Sequence, residues 1–253
     1  MTCIAAVGDV HVGTEGADAL AAAWEGIGER ARALLLTGDL TRCGEPGEAK
    51  LLATALERVP VPVVAVLGNH DHHADRPDEL AAILVDVGVT VLEGTSTVLD
   101  LDGTTLGVAG TKGFGGGFAG ATISEFGERE MKAFARHAWT LADRLEGALR
   151  EIAGADHRVA LLHYSPIRET LRGEHPEIYP ALGSYLFGEA VDRAGADLVL
   201  HGHAHLGTER GLTPGGIRVR NVAQPVIDAA YRLYDLTDAP TPPAAEGPAP
   251  PTG

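Results

Sequence analysis

Short apolar runs in this chain repeatedly end in side chains that can bind metal ions. Residues 4–7 lead to Asp9 and His11, residues 34–36 to Gly38-Asp39, and residues 63–67 to Gly68-Asn69-His70-Asp71. Residues 159–162 end at His163, and residues 198–200 lead to Gly202-His203-Ala204-His205. A short continuous apolar run bounded by turn residues reads as a strand buried on both faces, as in a parallel sheet. Between the first runs lie stretches with helical spacing. Leu20, Trp24, Ile27 and Ala31 share one face of residues 15–33, and a second helix is expected over 45–58. Strands alternating with helices imply an α/β fold built on parallel strands.

A short helix is expected after Pro77, followed by strands near 89–92, 97–101 and 105–109, with turn chemistry at Gly94 and Asp102-Gly103. Met131, Phe134, Ala138, Leu141, Leu145, Leu149 and Ile152 recur every three or four residues, which predicts a long helix over about 125–152. Thr122 or Ser124 could cap its start. A helix over 186–194 and strands over 197–200, 217–222 and 231–236 complete the expected elements. The domain is thus expected over 1–237. Residues 238–253 hold six of the 15 prolines and no apolar periodicity, and read as a disordered Pro/Ala-rich tail.

Charge narrows the partners. The net charge of −15 repels nucleic-acid phosphates, and the three lysines (Lys50, Lys112, Lys132) form no basic run, so no nucleic-acid partner is expected. A phosphate substrate stays open, because bound cations invert the local sign. The apolar runs are far shorter than the roughly 20 residues of a membrane span, so no membrane partner is expected. No basic region or signal core precedes the first strand, which reads as cytoplasmic. Cys3 opens the first strand and Cys43 lies past the end of the second. If these strands are parallel, the sulfurs are separated by about the ~17 Å length of a five-residue strand. That exceeds the ~7 Å Cα limit of a disulfide, and reduced thiols fit the same compartment.

Each cluster alone has a plain structural explanation. Asp9 and His11, at i and i+2 of an extended segment, would point the same way into the crevice at a strand end, but an Asp cap and a loop histidine read equally well. Asp39 alone is an ordinary turn residue. Gly68 permits close backbone approach, Asn69 offers a neutral oxygen ligand and His70 an acid–base group, although a polar turn has the same composition. His203 and His205 would again share one side of an extended segment. His163 alone could be a hydrogen-bonded core histidine. Together they supply carboxylate, imidazole and amide ligands in the number that two divalent cations need. The ligand atoms are nitrogen and oxygen, which suits Mn, Fe, Zn, Co or Ni.

The order D-x-H, GD, GNHD, H, GHxH over about residues 3–236 resembles the calcineurin-like metallophosphoesterase family. The resemblance implies a sandwich of two mixed β-sheets flanked by helices. It implies that Asp9, His11 and His205 hold one metal, that Asn69, His163 and His203 hold the other, and that Asp39 bridges both. His70 would be the catalytic histidine, with Asp71 orienting its ring. A hydroxide shared by the metals would attack phosphorus in line. GNHD with D-x-H looks more like the bacterial phosphodiesterase branch, including class III cyclic-nucleotide phosphodiesterases, than like the protein phosphatases. The substrate expected is a small phosphate ester, most simply a diester. A phosphomonoesterase, or a non-catalytic module keeping the metal shell, are the competing readings. The sequence itself gives no oligomeric state, and a dimer would be an inference from relatives alone.

The glycine-rich segment 110–120 reads either as a mobile rim loop or as a plain flexible connection. In the first case Lys112 would reach a phosphate and Phe114 would meet an organic leaving group. His72, His73, His137, His157 and His175 fall outside the motifs and read as surface or structural.

Overall fold

A computed structural model describes residues 2–13 and 17–237. The proline-rich segment 238–253 and Glu15, where the first helix was expected to begin, lie outside these residues. In chain order the first half runs β1 (Cys3–Val7), α1 (Ala17–Ala23), α2 (Ile27–Arg30), β2 (Leu34–Thr37), α3 (Pro46–Leu56), β3 (Val63–Val66), α4 (Pro77–Asp86) and β4 (Thr90–Val91). It continues with β5 (Thr95–Leu101), β6 (Thr104–Thr111), β7 (Gly117–Phe118), β8 (Ala121–Thr122), α5 (Arg129–Glu151) and β9 (His157–Leu162). The rest is α6 (Tyr179–Leu182), α7 (Tyr185–Ala194), β10 (Leu198–His201), β11 (Arg210–Leu212), β12 (Arg218–Asn221), α8 (Gln224–Ile227) and β13 (Arg232–Asp235).

These elements form the two-sheet sandwich that the resemblance implied. The first sheet has the order β13-β1-β2-β3-β4, with only β13 antiparallel to its neighbour. The second has the order β11-β12-β10-β9-β6-β5; its four central strands are parallel and both edge strands antiparallel. Alternation along β9 shows how the layers are filled. Val159 and Leu161 point between the sheets, into the core with Leu34, Leu36, Val64 and Val66. Ala160 and Leu162 point outward, under α5 and α7 with Leu145, Leu149 and Phe187. Both faces of the strand are buried, which is why its sequence is apolar throughout.

Three expectations change. The first helix is two short ones, because Gly26 adopts a left-handed backbone (φ 73) where a helix cannot continue. The long helix starts at Arg129 rather than near Glu125. Thr122 is taken by the β7-β8 hairpin, and Glu125 instead pairs with the Arg136 guanidinium at 2.5 Å. Met131, expected on the buried face, is 40% exposed. Finally, the glycine-rich segment is not a loose rim: residues 111–118 are buried except Phe114, which is partly so. Among the described residues no helix is long and apolar enough to cross a membrane.

Candidate metal centre

Because β1, β2, β3, β9 and β10 are parallel within their sheets, the clusters that follow them gather at one edge of the sandwich. The two sheets are stitched there. His163, after β9, reaches the carbonyl of Thr37 at the end of β2 (2.8 Å). Asp9, after β1, accepts from the amide of His203, after β10 (3.0 and 3.1 Å). Close approach explains two motif glycines. A Cβ on Gly68 would lie 2.1 Å from Asp39 Oδ1, and one on Gly202 would lie 2.1 Å from Asp9 Oδ2.

Asp9, His11 and His205 bring ligand atoms within 4.8 Å of one another, and so do Asp39, His163 and His203. A third such group is His11, Asp39 and His70. Asp39 therefore stands between two candidate positions. The approach is not the extended one expected: Asp9 (φ 56), His11 (φ 42), Asp39 (φ 48) and His203 (φ 68) all adopt left-handed backbone. Such conformations cost about 1–3 kcal/mol each and persist where surrounding contacts impose them.

The donor set fits cations. A carbonyl only accepts, so Nδ1 of His163 carries the proton donated to Thr37, and Nε2 keeps a lone pair. That lone pair faces Asn69 Oδ1 at 2.9 Å and Asp39 Oδ1 at 3.3 Å. His163 Nε2 thus faces two oxygen acceptors with no proton of its own to give, which a bound cation would relieve. By the same logic His203 donates Nε2–H to the Ala181 carbonyl (3.3 Å) and leaves Nδ1 free for the centre. His11 Nε2 is buried without a hydrogen-bond partner, 3.8 Å from Asp39 Oδ2. Burial pushes His203 down to about 3 and His163 well below its ordinary value, so both rings are neutral. Burial pushes Asp9 up to about 6, against the bond from His205.

His70 stands beside this group. Its Nδ1 donates to the carbonyl of Arg42 (2.7 Å), and Nε2 lies 3.9 Å from Asp39 Oδ2. The expectation that Asp71 orients this ring is corrected. Asp71 is fully buried, and its carboxylate accepts from the amides of Leu40, Thr41 and Gly68 and from the Thr41 hydroxyl, at 2.7–3.1 Å. It ties the Asp39 loop to the Asn69 loop, and Arg42 orients the ring. Thr41 and Arg42 carried no sequence signal, since one acts through a backbone amide and hydroxyl and the other through its carbonyl. His201 is fully buried, bonded to Thr170 Oγ1 (2.8 Å). Lys112 and Phe114 also lie near this edge. Phe114 packs on Phe134, His137 and Tyr164, and the Lys112 ammonium sits over the rings of Phe114 (5.2 Å) and Tyr164 (5.4 Å).

The sequence profile of calcineurin-like phosphoesterases matches residues 3–207. The chain belongs to the calcineurin-like phosphoesterase family. Among solved structures, this phosphoesterase is similar to the phosphopantetheinyl hydrolase PptH from Mycobacterium tuberculosis. The TM-score is 0.68 at 17% identity, over 96% of this chain and 99% of that one. It is also similar to the protein TT1561 of Thermus thermophilus, with TM-score 0.55 and 16% identity over 93% of this chain and 99% of that one. At these identities the likeness is one of fold. No curated protein matches the sequence.

Proposed function

We propose that this phosphoesterase holds two divalent cations and hydrolyses a phosphodiester. The observation that carries the reading is the meeting of His163 Nε2, Asn69 Oδ1 and Asp39 Oδ1 with no donor between them. Asp9, His11 and His205 would hold one cation, Asn69, His163 and His203 the other, and Asp39 both. When bound, the cations would neutralise phosphoryl oxygens and make water a usable nucleophile at neutral pH.

The chain's own groups orient the reaction. The bond to Arg42 fixes the His70 ring with Nε2 toward the centre. Protonated, that nitrogen can stabilise developing charge or give its proton to the leaving oxygen. Asp71 holds the two loops that carry Asp39 and Asn69. A depression of ≈ 240 Å³ lined by His11, Val12, Leu20 and Gln224 borders one candidate metal position and offers room for an organic arm of the ester.

The test is hydrolysis of bis(p-nitrophenyl) phosphate and p-nitrophenyl phosphate by metal-stripped protein, with Mn, Fe, Zn, Co or Ni returned singly. Metal-restored cleavage favouring the diester supports the reading. Preference for the monoester replaces it with a phosphatase. A phosphopantetheinyl ester belongs in the same panel, given the name of the similar Mycobacterium tuberculosis structure.

A further inference from the structure

Two depressions outside the metal ligands join into one groove. They share Phe118, Ala119 and Arg168. The smaller (≈ 260 Å³) is walled by Tyr179 and Pro180, the larger (≈ 410 Å³) by Ile167, Tyr185, Leu212 and Pro214. Aromatic rings and prolines thus line both halves, and Arg168 stands where they meet. Its guanidinium lies over the Tyr179 ring at 5.6 Å and has no hydrogen bond or ion pair among the described residues. Glu177 borders one half, Glu169 and Glu189 the other. These carboxylates repel a nucleic acid or a strongly acidic peptide. An aromatic groove with one unpaired cation fits instead an extended, nearly neutral segment that carries a single carboxylate.

This chain has such a segment. Residues 239–253 include Pro240, Pro243, Pro248 and Pro251, and Glu246 is their only charged side chain. Proline-rich sequence favours the polyproline II conformation, with three residues per turn. In that conformation Pro240 and Pro243 share one face, as do Pro248 and Pro251, and Glu246 falls between the two pairs. Segments of this kind dock in aromatic-lined grooves at low entropic cost. The starting point is suitable as well. Arg218 donates to the carbonyls of Asp235 and Leu236 (3.2 and 3.3 Å). It is also the cross-strand partner of Leu212, which lines the larger depression. Residue 237 therefore leaves the fold near that end of the groove, with only the edge strand β11 to round. At ~3.1 Å per residue the stretch from 237 to 246 spans about 28 Å.

We propose that segment 238–253 docks in this groove of its own chain, with Glu246 paired to Arg168 and one proline pair in each depression. The docked segment would cover Tyr179 and Tyr185 and brace the wall around Pro180. The neighbouring Ala181 carbonyl accepts from His203 (3.3 Å), so occupancy of the groove would steady that ring from behind. The proposal makes no use of the metal chemistry and stands or falls apart from it.

The test is protease protection in the full-length protein. Endoprotease Glu-C cuts after glutamate, and intact-mass spectrometry reads the loss of residues 247–253. Cleavage follows the undocked population, so wild type should be cut after Glu246 about tenfold or more slowly than a free peptide of residues 238–253. Arg168 is exposed, so its replacement leaves the core untouched. Arg168→Glu should speed the cut about fivefold, the upper range for one solvent-accessible ion pair. Glu246→Lys, outside the fold and read with endoprotease Lys-C, should lose protection to a similar degree. Combining it with Arg168→Glu should restore protection by reversing both charges. Cleavage of wild type at the free-peptide rate would overturn the proposal, as would no response to Arg168→Glu or no restoration in the swapped pair. Protection that grows with protein concentration would also overturn it, by assigning the groove to the segment of a second copy.

Discussion

The carboxylates and the imidazoles of the centre are held in different ways. Asp39 Oδ1 accepts from the amide of His70 (2.8 Å), Asp9 from the amide of His203, and Asp71 from three amides and a hydroxyl. All three are at most 3% exposed. Most of the imidazoles are held loosely by comparison. The His205 side chain is 39% exposed and its ring bonds to Asp9 (2.9 Å) and meets the His11 ring edge-on, His203 has one 3.3 Å bond, and His11 Nε2 has none among the described residues. The exceptions are His163, buried and anchored to Thr37, and His70, held by the Arg42 carbonyl. The backbone thus sets the carboxylates before any cation binds, whereas several imidazoles depend on the cation for their final position. Metal removal should accordingly loosen His11 and His205 while leaving the fold intact.

The comparison can be broken most decisively at Asp39. Asp39→Ala removes the residue common to both positions, so metal content measured by atomic emission should fall and turnover should drop about 1,000-fold or more. Retention of two ions per chain would show that Asp39 is not shared. His70→Ala should lower kcat about 100- to 10,000-fold, in the range of general acid–base groups, with both ions still bound. Full activity in that variant would remove His70 from the chemistry. Asp71→Ala should act on stability rather than on the ligands. It leaves buried amides of Leu40, Thr41 and Gly68 without an acceptor, at a cost of about 3 kcal/mol in urea denaturation. A negligible loss would mean that the carboxylate half is not held by its amides.

The smallest effect is expected far from the centre. Asp156 accepts from the Thr105 amide (2.8 Å) and hydroxyl (2.7 Å), and these bonds hold its carboxyl below the usual value of 3.8. A depressed carboxylate stabilises the fold above the unfolded pKa and loses that contribution as pH falls through the folded one. The small stability gap between wild type and Asp156→Asn should therefore close as pH drops below 3.8. A gap independent of pH would contradict it.

Much of this arrangement is legible in the sequence, because apolar strands and the residues that end them are local signals. Val159 and Leu161 facing one layer and Ala160 and Leu162 the other follow from strand periodicity alone. Backbone conformation at the strand ends was not legible. Asp9, His11, Asp39 and His203 read as extended or turn residues, yet all four take positive φ, imposed by contacts between sheets that no short window contains. The role of Asp71 was hidden for the same reason, since its partners at 40 and 41 are backbone groups distant in sequence. The segment 110–120 misled through its composition. Its glycines read as freedom, but several serve close packing, as at Gly115, where a Cβ would meet the Pro180 carbonyl oxygen at 2.5 Å.

The most direct test is a crystal soaked in manganese and measured for anomalous scattering. Two peaks are expected, one among Asp9, His11 and His205 and one among Asn69, His163 and His203, with Asp39 touching both. A single peak, or none with His163 Nε2 still against Asn69 Oδ1, would contradict the two-cation centre.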